Sequence, residues 1–320
     1  MNRQDMEWCV SMPKVELHAH LNGSVRNSTL LELARVLGER GIIVFSEVEN
    51  VIMKDDRTLH EVFKLFDLIH ILTTDHSTVT RITTEVIEDF ASENVVYLEL
   101  RTTPKRNDSI GMSKRSYMEA VMEGLKAVSS VDVDYAPTGL KTNTFNGTTR
   151  KKIYVRFLLS IDRRESTEAA METVKLALEM RDLGVIGIDL SGNPIVGNWA
   201  TFLPALKYAR EQGLYLTLHC GEVEICLTSN IRTETISSID IHHFVDLYKA
   251  KHPLILCTDD SGVFSTCLSG EYCLASSAFG LGKTEMFQLA ENAIDFIFAD
   301  DGVKEDLRAT FEVAAEKLDL

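Results

Sequence analysis

Short, nearly all-apolar stretches alternate with amphipathic helical segments along this chain, and that alternation constrains the fold more than any other feature. Strands are expected from Lys14 to the break at Asn22, Gly23 and Ser24, and over residues 95–100, 153–161, 185–190, 214–218, 225–227 and 254–257. Helical periodicity covers 28–40, 59–72, 79–93, 117–129, 167–183, 201–212 and much of 284–318. Strands apolar on both faces and linked by helices form a parallel sheet covered on both sides. Polar residues recur at the carboxyl ends of these strands, where parallel barrels place their active sites. The expectation is an α/β fold, a TIM-like (β/α)8 barrel forming a single domain over residues 1–320. An open doubly wound sheet is the runner-up, but the first loop lacks a Gly-x-Gly-x-x-Gly phosphate turn.

One region breaks the pattern. A parallel crossover needs a dozen residues or more, and only six residues separate the stretches at 214–218 and 225–227. Neither a helix nor a further strand fits there. The strand count is seven, one short of closure. Residues 136–149, rich in Thr, Asn and Gly and without periodicity, read as a mobile surface insertion.

Chemistry concentrates at three strand ends. His18 and His20 stand two apart on the opening strand, so both rings face the same side. His219 and Asp259 end later strands in the same way. Three imidazoles and a carboxylate suit one zinc-like divalent ion that keeps a position open for water, whose pKa the ion lowers to about 7. Glu222 follows His219 by three residues and is a candidate general acid/base. Asp260 is placed to orient a substrate nitrogen. Taken singly, His219 reads as a core histidine and Asp259–Asp260 as a helix cap. Their shared register with His18 and His20 favours the metal hydrolase.

The net charge of −15 argues against a nucleic-acid binder. No apolar run approaches a membrane span, and the first residues lack the apolar core of a signal peptide. Six cysteines without a Cys-x-x-Cys spacing read as reduced thiols. A cytosolic monomer acting on a small molecule, with no membrane or nucleic-acid partner, is expected.

The stretches Lys-Val-Glu-Leu-His-Ala-His-Leu-Asn-Gly-Ser, Leu-Thr-Leu-His-Cys-Gly-Glu, Cys-Leu-Thr-Ser-Asn and Cys-Thr-Asp-Asp resemble the adenosine/AMP deaminase family of metal-dependent hydrolases. They are most similar to its adenosine-deaminase-like group, which acts on N6-methyl-AMP. The resemblance implies zinc held by His18, His20, His219 and Asp259, attack of water on purine C6, and release of methylamine or ammonia to give IMP. Glu222 would protonate ring N1, Asp260 would contact the ring, and the Gly192 main chain would meet its edge. It also points to His70 and Asp162 as substrate contacts.

Family members acting on adenosine carry Asp where this chain has Asn22. A carboxylate there repels a 5′-phosphate and a neutral amide accepts one. Thr102, Thr103, Pro104 and Lys105 add hydroxyls and a cation suited to phosphate oxygens. Adenosine itself is the alternative substrate.

The chain also departs from the family. Family members follow the fifth strand with a helix, a sixth strand ending in a histidine over the attacking water, and another helix. Here Glu222 runs directly into Val223, so an internal segment is expected to be missing between residues 222 and 223. A slow or inactive isoform that only binds a ligand or a partner is the remaining alternative.

Overall fold

A computed structural model describes residues 3–54, 57–73, 75–136, 150–193, 195–219 and 223–320. The chain opens with helix α1 (Arg3–Ser11), strand β1 (Lys14–His20) and helices α2 (Asn27–Glu39), α3 (Phe45–Ile52), α4 (Leu59–Leu72) and α5 (His76–Ser92). Strand β2 (Val95–Thr102), α6 (Lys114–Ala127), the short β3 (Asp132–Asp134), β4 (Lys152–Asp162), α7 (Thr167–Glu179), β5 (Val185–Ser191) and α8 (Trp199–Glu211) follow. Then come β6 (Tyr215–Leu218), β7 (Glu224–Ile225), α9 (Leu227–Arg232), α10 (Phe244–Lys249), β8 (Ile255–Leu256), α11 (Leu268–Phe279), α12 (Lys283–Asn292) and α13 (Asp301–Lys317). Several helices begin where a side chain satisfies free N–H groups: Thr58 and Glu61 box the start of α4, while Asp75, Ser166 and Asn198 cap α5, α7 and α8. No helix among the described residues is long and apolar enough to cross a membrane.

The strands pair in parallel in the order β1-β2-β4-β5-β6, and β7 pairs β8. The two sheets join where Asp259, just past β8, bridges Ala19 of β1. There the Asp259 N–H donates to His18 O at 2.7 Å and the His20 N–H to Asp259 O at 3.0 Å. The wall therefore reads β7-β8-β1-β2-β4-β5-β6, a parallel curled sheet of the barrel type. Among the described residues, β6 and β7 pair with nothing on their facing edges. Burial follows this layout. Every residue of β2 is buried, whereas Tyr215 at the start of β6 is 47% exposed and its three successors are half-buried.

The seven strands expected are all present, with three differences of detail. β3 adds a short strand beside β4, and α1 and α3 are helices too short for their periodicity to stand out. Residues 225–227 are strand only through Ile225, because Leu227 already opens α9 and carries Thr228, Ser229 and Asn230 into a helix. Arg101, expected in a loop, lies inside β2 and is fully buried, its charge met by Asp189 of β5 and Glu224 of β7. Of the expected insertion at 136–149, all but Ala136 lies outside the described residues.

Candidate active site

At the carboxyl end of the wall, β1 delivers His18 and His20, β6 delivers His219, and the turn after β8 delivers Asp259. His219 Nε2 lies 3.1 Å from Nε2 of both His18 and His20. Asp259 Oδ1 lies 3.6 Å from His18 Nε2 and 3.4 Å from His20 Nε2, and all four ligand atoms fall within 4.8 Å of one another. A tetrahedral ion about 2.0–2.2 Å from each ligand needs ligand separations of about 3.3–3.6 Å. The group therefore fits a divalent metal. Asp259 reaches it with φ 61°, a left-handed backbone that Asp tolerates better than most residues.

A second layer of buried charge sets the rings. His219 Nδ1 is 3.0 Å from Asp189 Oδ1, which fixes the tautomer and leaves Nε2 as a lone pair facing the other imidazoles. Asp189 also accepts from Ser160 and Thr217, each at 2.9 Å. Glu224 Oε2 stands 2.7 Å from His18 Nδ1, an ion-pair separation without hydrogen-bond alignment. Between these two carboxylates lies Arg101, 1% exposed, bonded to Glu224, to Leu17 O at 2.9 Å and to Asp189 at 3.4 Å. Ser229 donates to Asp259 Oδ2 at 2.8 Å. Buried Glu16 accepts from the N–H groups of His18 and Thr258 and from the Thr258 hydroxyl, tying β1 to β8.

Electrostatics follow from this layout. Burial lowers His20 to about 3, which favours the neutral ring a metal needs. Burial opposes the charge on Asp189, but His219 and Arg101 outweigh it and hold the carboxyl well below its usual range. Asp259 is likewise held low by the three imidazoles against burial. Asp260 goes the other way: burial, with Asp259 beside it, raises its pKa well above the carboxylate range.

A cavity of about 380 Å³ opens over this point. Of the expected substrate contacts, His20, Asn22, His70, Thr102, Thr103, Asp162, Gly192 and Asp260 line it, together with the candidate ligands His219 and Asp259. Gly192 has φ 98°, and a Cβ there would stand 3.1 Å from Asp162 Oδ1, so these two share one edge of the cavity. Pro104 and Lys105 lie behind the lining. Lys105 Nζ donates to Thr73 Oγ1 at 2.9 Å, and burial alone brings it down to about 7. Glu222 lies outside the described residues.

The family profile of adenosine deaminase matches residues 13–224 and 222–313, two blocks that overlap at residues 222–224. This chain belongs to the adenosine deaminase family. A deaminase of this family from Arabidopsis thaliana, N6-mAMP deaminase, is 64% identical over 351 positions, covering 97% of this chain and 99% of that protein. Those positions outnumber the 320 residues here, so the relative carries residues without a counterpart in this chain. N6-Methyl-AMP deaminase of Bos taurus is 35% identical, with 96% of this chain and 97% of that protein covered. The crystal structure of Arabidopsis ADAL complexed with IMP superposes with a TM-score of 0.91 at 64% identity, covering 97% and 99% of the two chains. Adenine deaminase of Arthrobacter aurescens, 16% identical with a TM-score of 0.77, shares the fold across 95% of this chain and 99% of that one.

Within this deaminase site, the sequence reading missed Arg101, Asp189, Glu224, Glu16 and Ser229, none of which is among the four ligands. The available signal was a charged residue set inside an otherwise apolar strand, as with Glu16, Arg101 and Asp189. The apolar face of α4 was legible, but its direction was not: Val62, Phe63 and Phe66 line the cavity. Gly23 is required by space, because a Cβ there would fall 1.6 Å from Asp260 Oδ1. Gly23→Ala should therefore displace Asp260 and lower stability by about 1–3 kcal/mol, read as a drop in the thermal midpoint together with weakened purine binding. Unchanged binding would mean that Asp260 does not touch the ligand.

Proposed function

We propose that this chain is a metal-dependent aminohydrolase of purine 5′-monophosphates, taking N6-methyl-AMP to IMP and methylamine. The observation that carries the reading is the convergence of His18, His20, His219 and Asp259 beneath a cavity lined by Asn22, Thr102 and Thr103. It is supported by the Arabidopsis relative, an N6-mAMP deaminase, and by the related structure complexed with IMP, the product of that reaction. The four residues would hold one zinc ion, which when bound supplies Lewis acidity and a water of near-neutral pKa.

The chain's own groups supply the rest. Asp260, whose pKa burial and Asp259 raise, is the group placed to share a proton with an accepting ring nitrogen. Glu222 would exchange a proton with ring N1. Phe63, Phe66 and Phe264 offer the flat purine and its N6-methyl group an apolar wall. At the other end, Asn22 removes the charge that would repel a phosphate. Lys105 is a partly buried cation whose pKa is lowered by desolvation alone, so an incoming phosphate would restore its charge.

Elemental analysis of the purified chain should find close to one zinc per molecule, and calorimetry should show IMP binding more tightly than inosine. A folded chain that takes up neither metal nor IMP sinks the reading. Asn22→Asp should weaken IMP binding at least about tenfold, with inosine little changed, because like charges would face each other. Equal losses for both ligands would place the phosphate elsewhere.

A further inference from the structure

Asn22 is 7% exposed and lines the cavity, yet its Oδ1 has no hydrogen-bond partner among the described residues. Its Nδ2 lies 3.5 Å from the hydroxyl of Tyr117, a long contact. Tyr117, on α6, is fully buried behind Asn22 and Thr102 and is not part of the cavity lining. Its hydroxyl is 2.8 Å from Thr102 Oγ1. A phenol has one proton to donate and can also accept. An orphaned buried amide oxygen costs free energy until it finds a donor, and the Tyr117 hydroxyl is the group next to it.

Turning the Asn22 amide 180° about Cβ–Cγ resolves the mismatch. Thr102 Oγ1–H then donates to Tyr117 Oη, Tyr117 Oη–H donates to Asn22 Oδ1, and the Asn22 NH2 takes the place Oδ1 held, on the side away from Tyr117. We infer that Tyr117 is a positioning residue for nucleotide selectivity: it holds the Asn22 amide so that its NH2, and not its carbonyl, meets the 5′-phosphate. This rests on the nucleotide reading above. The direction of the chain matters because an amide carbonyl facing a phosphate repels it, whereas an NH2 donates a charge-assisted hydrogen bond. A nucleoside's 5′-hydroxyl can donate or accept and is indifferent to the amide's orientation.

Tyr117→Phe keeps the buried ring and removes the donor. IMP affinity should fall about fivefold to tenfold, inosine affinity should hold, and the ratio should not fall further when Tyr117→Phe is added to Asn22→Ala. Calorimetric titration of IMP and inosine against all four proteins reads this. In unsubstituted protein, the Asn22 side-chain NH2 resonances, assigned by their loss in Asn22→Ala, should shift with IMP and not with inosine. That measurement stands even if the Tyr117→Phe variants fail to fold. An unchanged IMP/inosine ratio in Tyr117→Phe, an equal fall in the Asn22→Ala background, or NH2 signals silent to IMP would each overturn the inference. Wild-type protein that binds inosine as tightly as IMP would instead overturn the nucleotide reading, and the inference with it.

Discussion

Arg101→Met should lower the stability of this protein by about 3–5 kcal/mol, the loss expected when one partner of a buried ion pair is removed. Methionine approximates the volume of the arginine stem, so the cost would be electrostatic rather than a cavity. Asp189 and Glu224 would be left facing each other's charge with nothing between them. In a chain of this size the thermal midpoint should fall by on the order of 10 °C. Metal affinity should fall about tenfold to a hundredfold, because Asp189 and Glu224 are the groups that set His219 and His18. The acid limb of the stability curve should move as well. Burial pushes Glu224 up, but Arg101 and His18 outweigh it and hold it at about 2. Its contribution is therefore fully present above the ordinary glutamate value of about 4.3 and lost as pH falls toward 2. Without Arg101 the folded pKa rises, and the loss begins at higher pH. Thermal melts from pH 3 to pH 7, alongside zinc titration, check both points. Arg101→Met melting with the wild type and binding zinc equally well would show that the guanidinium does not hold the site.

That network marks the boundary of what could be read from sequence. The histidines of β1 were legible because alternation on a strand sends residues two apart to one face. His219 and Asp259 were legible because each follows an apolar run that could only be a strand. Glu224 was not, because its two-residue strand carries no periodicity and its role depends on pairing with β8. Tyr117 was equally hidden: its helix was expected, but a helix face says nothing of which strand-end side chains its hydroxyl will reach. Arg101 was misplaced for a similar reason. A charged residue at the end of an apolar run reads as a loop unless the carboxylates that neutralise it are known, and these come from β5 and β7, far away in sequence.

The seam between β6 and β7 leads to the prediction with the largest expected effect on turnover. We propose that residues 222 and 223 flank the point where an internal segment is missing, as the two family-profile blocks that overlap there suggest. If the residues of the Arabidopsis relative that have no counterpart here belong at this position, inserting them should raise N6-methyl-AMP turnover more than about 100-fold, the range typical of restoring one preorganised electrostatic group in an active site. Two physical effects add. The segment would bring a strand to pair the facing edges of β6 and β7, which among the described residues pair with no strand and leave Tyr215 exposed. It would also bring the family's sixth-strand histidine to the metal-facing end of the cavity. The first effect should appear as a higher thermal midpoint, the second as turnover, so a variant carrying the segment with that histidine changed to alanine separates them: stability regained, rate still low. The candidate metal ligands do not depend on the insertion, because His18, His20, His219 and Asp259 already converge, so zinc content should change less than rate. Equal rates for the chain with and without the segment would show that the seven-strand wall suffices for catalysis and that the sixth-strand histidine is dispensable here.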